Sequence, residues 1–307
     1  MVHIDASRFE TAMGRGPTVL LGLLREARPQ VQLMFQIRLL SGALLVYQGR
    51  GVDPVRLVAV CLTWYCVMTF IYVLNGATDV LADRFNGSTR PVAAGALGLA
   101  QARWGAAGFA AAAMLGGLAL GRSMTGAVLV ALALGVSYSV PPLALKNRGI
   151  GAGAVGGLGG LVTYYVGYDL GAGRPNPALV IFAAAMASWM CLVGAQVKDL
   201  SDIPGDRAAG RRTLAGRLPD PVLRRGIAVL ALGFGASLPV LAYRYAPVLI
   251  GAGLMLAAGS AVLAGSVLSR HSRGDRERLR QPYRIFMLTQ YGAHLALAPL
   301  AVPLLAG

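Results

Sequence analysis

Five of the chain's thirteen acidic residues fall in two short clusters. The first reads Asn75-Gly-Ala-Thr-Asp79-Val-Leu-Ala-Asp83. The second reads Lys198-Asp199-Leu-Ser-Asp202-Ile-Pro-Gly-Asp206. Each stands where an apolar stretch ends. Carboxylates are costly to hold near hydrocarbon, so clustered ones in such a place mark a site. Asn75, Asp79 and Asp83 recur every fourth residue. On a helix this stacks them on one face, about 6 Å apart. The spacing suits oxygen ligands that share Mg²⁺ ions with a diphosphate, because Mg²⁺ takes a few carboxylates, waters and phosphate oxygens. Asp202 and Asp206 repeat the interval, with Lys198 and Asp199 just before them. Pro204-Gly205 interrupts a helix there, so this cluster is expected on a broken helix end or a loop. Lys198 can pair with a neighbouring Asp or hold phosphate oxygens as a point charge, where Arg acts as a fork.

The elements that must position these residues are apolar. Of the 307 residues, 56% are hydrophobic and 13% charged. A soluble chain carries about 25% charged residues. Apolar blocks recur at 30–49, 55–75, 99–121, 124–141, 149–171, 178–197, 224–243, 247–269 and 285–305. Each is close to the roughly 20 residues that cross a bilayer as a helix. The expected fold is therefore all-α and integral to the membrane, with nine transmembrane helices. Residues 1–29 form an N-terminal segment and 30–305 the bundle, in one membrane domain spanning 1–307. No short apolar core with a cleavage site opens the sequence, so no removable signal is expected.

The net charge of +15 could suggest nucleic acid, but its distribution argues against that partner. With the N-terminus inside, 22 basic residues fall in cytoplasmic segments, 5 in outer loops, and Arg38 lies within the first block. Such a bias sets orientation: N-terminus in the cytoplasm, C-terminus outside, in the cell membrane, with attraction to anionic lipid as a further effect. Both acidic clusters then lie on the cytoplasmic face, in the two long inner loops 76–98 and 198–223. Loops of that length in a compact domain are usually functional. Cys61, Cys66 and Cys191 lie in apolar blocks without metal or disulfide spacing, and His3, His271 and His294 do not cluster. The glycine-rich run 149–160 reads as close helix packing, since it lacks the ending of a phosphate loop. A transporter would carry its acids at mid-span; here they stand at span ends on one side.

Three ordered motifs resemble one family. Asn75-x3-Asp79-x3-Asp83 followed by Arg90-Pro91 is similar to the first signature of the UbiA superfamily of intramembrane prenyltransferases. Lys198-Asp199-x2-Asp202-x3-Asp206 followed by Gly210 and Thr213-Leu214 resembles the second. Tyr138-Ser139-Val-Pro141-Pro142 through Lys146 is similar to the segment between them. The resemblance covers roughly residues 28–300. It implies nine helices around a central cavity capped on the cytoplasmic side. It implies that Asp79 and Asp83, with Asn75, hold one Mg²⁺, and that Asp202 and Asp206, with Asp199 beside them, hold another. Arg90, Lys146 and Lys198 would neutralise the diphosphate. Arg84 joins this set from position, and Tyr138 from its motif; Arg38, an unpaired charge in the first block, either reaches the cavity mouth as a phosphate ligand or pairs with another buried polar group or snorkels. Two departures stand out. Many members have Asp after the Asn, where this chain has Gly76. Many have Tyr four residues before the Lys, where this chain has Gly194.

The implied reaction ionises an isoprenyl diphosphate and passes the prenyl chain to a small acceptor, expected to be aromatic. Asp79, Asp83, Asp202 and Asp206 carry it by stabilising the departing diphosphate through the metal. Trp64, Tyr65, Phe70, Tyr72, Tyr138, Tyr164, Tyr165, Tyr168 and Trp189 are candidate walls for a cationic chain. A terpene cyclase would use the same clusters without an acceptor.

Overall fold

The computed structural model describes residues 16–47 and 53–301. The first half of the expected N-terminal segment, Arg50 and the end of the ninth block lie outside the described residues. Among them, a helix stands at each of the nine apolar blocks. In chain order the elements begin with α1 (Gly16–Glu26), α2 (Pro29–Val46), α3 (Pro54–Thr78), α4 (Val80–Phe85), α5 (Leu99–Leu120), α6 (Arg122–Ser139) and α7 (Gly151–Gly171). They continue with α8 (Pro177–Ser188), a π-helical turn (Trp189–Gly194), α9 (Ala195–Asp199), α10 (Ile203–Ala208) and α11 (Leu214–Arg217). The last are α12 (Asp220–Tyr245), α13 (Ile250–Leu268), α14 (Arg276–Leu279) and α15 (Gln281–Leu295).

Six of these stretches are long and apolar enough to cross a membrane: α3, α5, α6, α8 through α9, α12, and 247–268. The protein is a multi-pass membrane protein on that ground. The other three apolar blocks, at α2, α7 and α15, do not reach the same mark. α2 carries Gln30, Gln32, Gln36 and Arg38, and α15 has 15 residues, roughly 22 Å against about 30 Å of hydrocarbon.

Helix starts follow the sequence. Asp53 accepts a hydrogen bond from Val55 N and Asn176 from Leu179 N, each ahead of a proline in the first turn. Small residues bring helices together, as the glycine-rich run suggested. A Cβ at Gly42 of α2 would meet Tyr164 O of α7 at 2.8 Å, and one at Gly157 would meet Ala187 O of α8 at 3.2 Å. One core joins α7, α8, α12, α13 and α15 around Trp189, Phe182 and Phe286. A second joins α2, α3, α5, α6 and α7 around Trp64. Large apolar side chains such as Leu62, Trp104, Leu118 and Val229 face outward, as lipid-facing residues do.

The bundle has two distinct ends. At one, the start of α3 meets the end of α7, where Arg56 and Asp169 approach to 3.4 Å. At the other, the end of α3 meets the turn before α7, where Lys146 donates to Thr78 Oγ1 at 2.6 Å. Both acidic clusters stand at this second end.

Candidate diphosphate and metal site

α3 does not continue through the first cluster. It stops at Thr78; Asp79 takes the junction, and α4 restarts at Val80. The three-step stack on one helical face is therefore broken at its middle member. The second cluster breaks as the proline required. α9 ends at Asp199, Asp202 occupies the N-cap position of α10, and Pro204 lies in its first turn.

The short helices α4 and α10 pack on each other. Gly205 N donates to Asn86 Oδ1 at 3.0 Å. A side chain at 205 would strike Asn86 and the backbone of Ala82, so the close approach needs glycine. This contact brings segments about 120 residues apart over one cavity. Its rim holds Asn75, Asp79 and Asp83 from the first cluster and Lys198, Asp199, Asp202 and Asp206 from the second. Arg28, Asn86 and Arg211 also line the cavity. Below it the walls are apolar and aromatic, among them Met68, Ile71, Leu134 and Met190, with Phe35, Tyr72, Tyr138 and Tyr283.

Every rim carboxylate is met by a cation. Asp79 pairs with Lys146 Nζ at 2.5 Å and with Arg211. Arg211 Nη1 also donates to Asp206 Oδ1 at 3.0 Å, so one guanidinium ties the two clusters together. Asp83 accepts from Arg90 Nη1 at 3.0 Å. Lys198 lies 3.5 Å from Asp199 and 3.7 Å from Asp202, and Arg276 lies 3.3 Å from Asp202. Burial would raise the Asp202 carboxyl, but Lys198 and Arg276 outweigh it and hold it below its ordinary range. Burial pushes the Asp206 carboxyl up, against Lys198 and Arg211. Burial likewise pulls the Lys146 ammonium down, against the attraction of Asp79.

Not every expected residue meets the cavity. Arg38 is 1% exposed, and its guanidinium lies 5.1 Å from the Phe35 ring and 5.8 Å from that of Tyr164. It is absent from the cavity lining. Arg84 Nε donates to Ala93 O at 3.1 Å, within its own loop. Arg90 and Lys146 are also absent from the lining, but each contacts a rim carboxylate, Asp83 and Asp79 respectively. Of the nine aromatic residues expected as walls, Tyr72 and Tyr138 line the cavity. Trp64 and Trp189 are buried in the helix-packing cores. Tyr164 bonds His294 Nε2 at 2.6 Å, and Tyr165 is exposed. Sequence reading missed Arg28, Arg211, Asn86, Phe35 and Tyr283 as cavity residues. Arg211 had a faint signal, as part of the basic run after the second cluster.

The two glycine departures are filled from elsewhere. At Gly194 the ring of Phe286 on α15 takes the side-chain space, with Phe286 Cε2 within 2.8 Å of a Cβ built there. At Gly76 the space is taken by the carboxylate of Glu26 on α1. Glu26 is fully buried; burial pushes its carboxyl up, against the pull of Arg90 at 2.6 Å.

Comparison with known proteins follows this geometry. The profile of the UbiA prenyltransferase family matches residues 37–291. The chain belongs to that family. It is an enzyme of the prenyl-transferring class. It is 30% identical over 224 residues to a homogentisate phytyltransferase of Synechocystis sp., covering 68% of this chain and 72% of that protein. It is 31% identical over 211 residues to a digeranylgeranylglyceryl phosphate synthase of Korarchaeum cryptofilum, covering 67% and 70%. A UbiA homologue from Archaeoglobus fulgidus, solved with GPP and Mg²⁺, superposes with a TM-score of 0.67 at 17% identity. That match covers 90% of this chain and 99% of the other. It shows the shared fold.

The chemistry of the rim fits Mg²⁺. Its donors are carboxylate and amide oxygens, the hard ligands this ion takes. Among the described residues no three acidic, His or Cys side chains converge as a metal cage. Mg²⁺ commonly completes its shell with water and substrate phosphate.

Proposed function

We propose that the protein binds an isoprenyl diphosphate at this rim, with its chain in the cavity below, and transfers the prenyl group to a small aromatic acceptor. The carrying observation is the rim itself: five carboxylates from two distant segments over one apolar, aromatic-walled cavity. Mg²⁺ held by Asn75, Asp79 and Asp83 and by Asp199, Asp202 and Asp206 would neutralise the departing diphosphate. Lys146, Lys198, Arg90 and Arg211 already stand against those carboxylates and can turn part of their charge to phosphate oxygens.

The allylic C1–O bond breaks with its electron pair left on diphosphate. Tyr72, Tyr138, Phe35 and Tyr283 present aromatic faces to the positive charge on the chain. The apolar walls exclude water that would capture it. The acceptor's nucleophilic atom bonds C1 and then loses its proton. Arg38 and Arg84 are left out of the diphosphate set, because they neither line the cavity nor, among the described residues, touch a rim carboxylate, as Arg90 and Lys146 do. The orientation, with N-terminus and rim cytoplasmic and nine crossings, is part of this proposal and rests on the charge bias.

Cyclisation without an acceptor would need the same rim. The relatives matched above carry transferase and synthase names, and transfer is the reading retained. The test is product analysis by mass spectrometry, with C10 to C20 prenyl diphosphates, with and without aromatic acceptors. Prenylated acceptor formed only with Mg²⁺ supports transfer. A cyclic product from the diphosphate alone would replace it with cyclisation. Turnover that survives chelation, or Asp79→Ala combined with Asp202→Ala, sinks both.

A further inference from the structure

Gly76 follows Asn75 at the mouth of the cavity, and its empty side-chain space is claimed by another element. A Cβ at 76 would overlap Glu26 Oε1 and come within 2.6 Å of Arg90 Nη2. Glu26 is the last residue of α1 and is fully buried. Its Oε2 accepts from Val92 N at 2.9 Å, and its Oε1 lies 2.6 Å from Arg90 Nη2. Arg90 Nη2 also donates to Tyr72 O at 2.9 Å and to Glu26 O at 3.2 Å. The other arm, Nη1, donates to Asp83 Oδ2 at 3.0 Å. Glu26, Arg90 and Asp83 thus form a contact chain of two negative charges around one positive charge, with the Arg28 guanidinium as a further positive charge near both carboxylates.

The arrangement has a consequence for Asp83. A buried guanidinium must be compensated. If Asp83 were the sole carboxylate on Arg90, drawing it to a cation would leave the arginine buried and unpaired. Glu26 removes that cost, because Arg90 keeps a partner whichever way Asp83 turns. We propose that Glu26 is a positioning residue for the diphosphate end of the cavity, sharing Arg90 so that Asp83 stays available to a divalent cation. Glu26, from a helix 50 residues earlier in the chain, sets its carboxylate in the side-chain space beside position 76. This rests on the proposed function, in which Asp83 serves Mg²⁺.

Gly76 offers an independent way to disturb the contact. The atoms a side chain would meet are the ends of flexible side chains, so Gly76→Ala displaces the Glu26 carboxylate and spares the backbone. The experiment uses the purified full chain in detergent, with geranyl diphosphate and an aromatic acceptor as probes. Absence of Mg²⁺-dependent turnover in the wild type overturns the proposed function, and this inference with it. With that turnover present, Glu26→Gln and Gly76→Ala each raise the Mg²⁺ concentration for half-maximal rate about tenfold. At saturating Mg²⁺ their rates return close to wild type. The Mg²⁺-induced rise in unfolding temperature, read without substrate, moves to higher Mg²⁺ by the same factor. Glu26→Asp, which keeps the charge, recovers most of the affinity. Unchanged Mg²⁺ dependence in both folded variants overturns the inference. Failure of both to fold also overturns it, in favour of a purely structural tie between α1 and the loop after α4.

Discussion

Arg211 is the side chain that bridges the two acidic clusters by charge in this structure. It contacts Asp79 and Asp206, which are 127 positions apart in the chain. Burial opposes its charge, yet the two carboxylates outweigh this and raise its pKa above the ordinary arginine value. A guanidinium already desolvated and fork-shaped suits a diphosphate oxygen pair. Arg211→Ala should raise KM for the prenyl diphosphate about 10- to 100-fold, as loss of a charge-assisted bond worth roughly 1.5–3 kcal/mol implies. Arg211→Lys should fall between, since one ammonium cannot span both carboxylates. Steady-state kinetics at saturating Mg²⁺ decide this; an unchanged KM with a lowered unfolding temperature would leave Arg211 a tie and nothing more. The carboxylates themselves were legible in the sequence, because acid is scarce in this chain and their spacing is regular. Arg211 was not. Nothing in a run of arginines tells which one folds back across the cavity.

At the scale of elements, helix interruptions aim the site. The junction at Asp79 and the proline-led restart of α10 turn carboxylates toward a shared space that two straight helices would not enclose. The π-helical turn Trp189–Gly194 sits one step before the second cluster and contributes Met190 and Gly194 to the cavity; such turns commonly mark functional sites. The proline break was readable from Pro204. The break at Asp79 was not, since no Pro stands near it and Gly76 is tolerated inside a helix. Gly194 was readable as a loss, but its filling by Phe286 was not, because α15 is about 90 residues away in sequence. Phe286 stacks on Trp189 at 5.4 Å and on Tyr283 at 6.0 Å, and Tyr283 faces the cavity. Gly194→Tyr alone should therefore overpack this joint and cost about 1–3 kcal/mol. Combining it with Phe286→Ala should recover much of that loss. Unfolding temperature in detergent reads both, and a Gly194→Tyr variant as stable as wild type would show that the Phe286 ring does not occupy this space.

At the scale of the whole molecule, length and charge bear on different questions. Apolar length placed a helix at every one of the nine blocks, and six of those stretches meet the demands of a membrane crossing. The remaining three, at α2, α7 and α15, all contribute cavity-lining residues, as α3 and α6 do; polar residues in α2 and glycines in α7 lower mean hydropathy there, and α15 is short at 15 residues. Charge addresses orientation, although not all of it is free for that purpose. Arg224, counted among the cytoplasmic arginines, is 2% exposed; it pairs within α12 with Asp220 at 2.6 Å and clamps α12 to the end of α13 through Val267 O at 2.9 Å and to Ser272 just beyond. Removing such residues from the count still leaves the inner segments far richer in arginine. The bundle adds an independent constraint. The acidic rim stands at one end and the Arg56–Asp169 pair at the other, so the two must fall on opposite sides of any membrane the helices cross. Single cysteines placed at Thr89 and at Pro175, in a chain with Cys61, Cys66 and Cys191 replaced, test this directly. In right-side-out vesicles an impermeant thiol reagent should label the cysteine at 175 and spare the one at 89, and inverted vesicles should reverse the pattern. Labelling of both from one side would contradict the crossing itself, whereas a reversed pattern would keep the fold and overturn the orientation read from arginine.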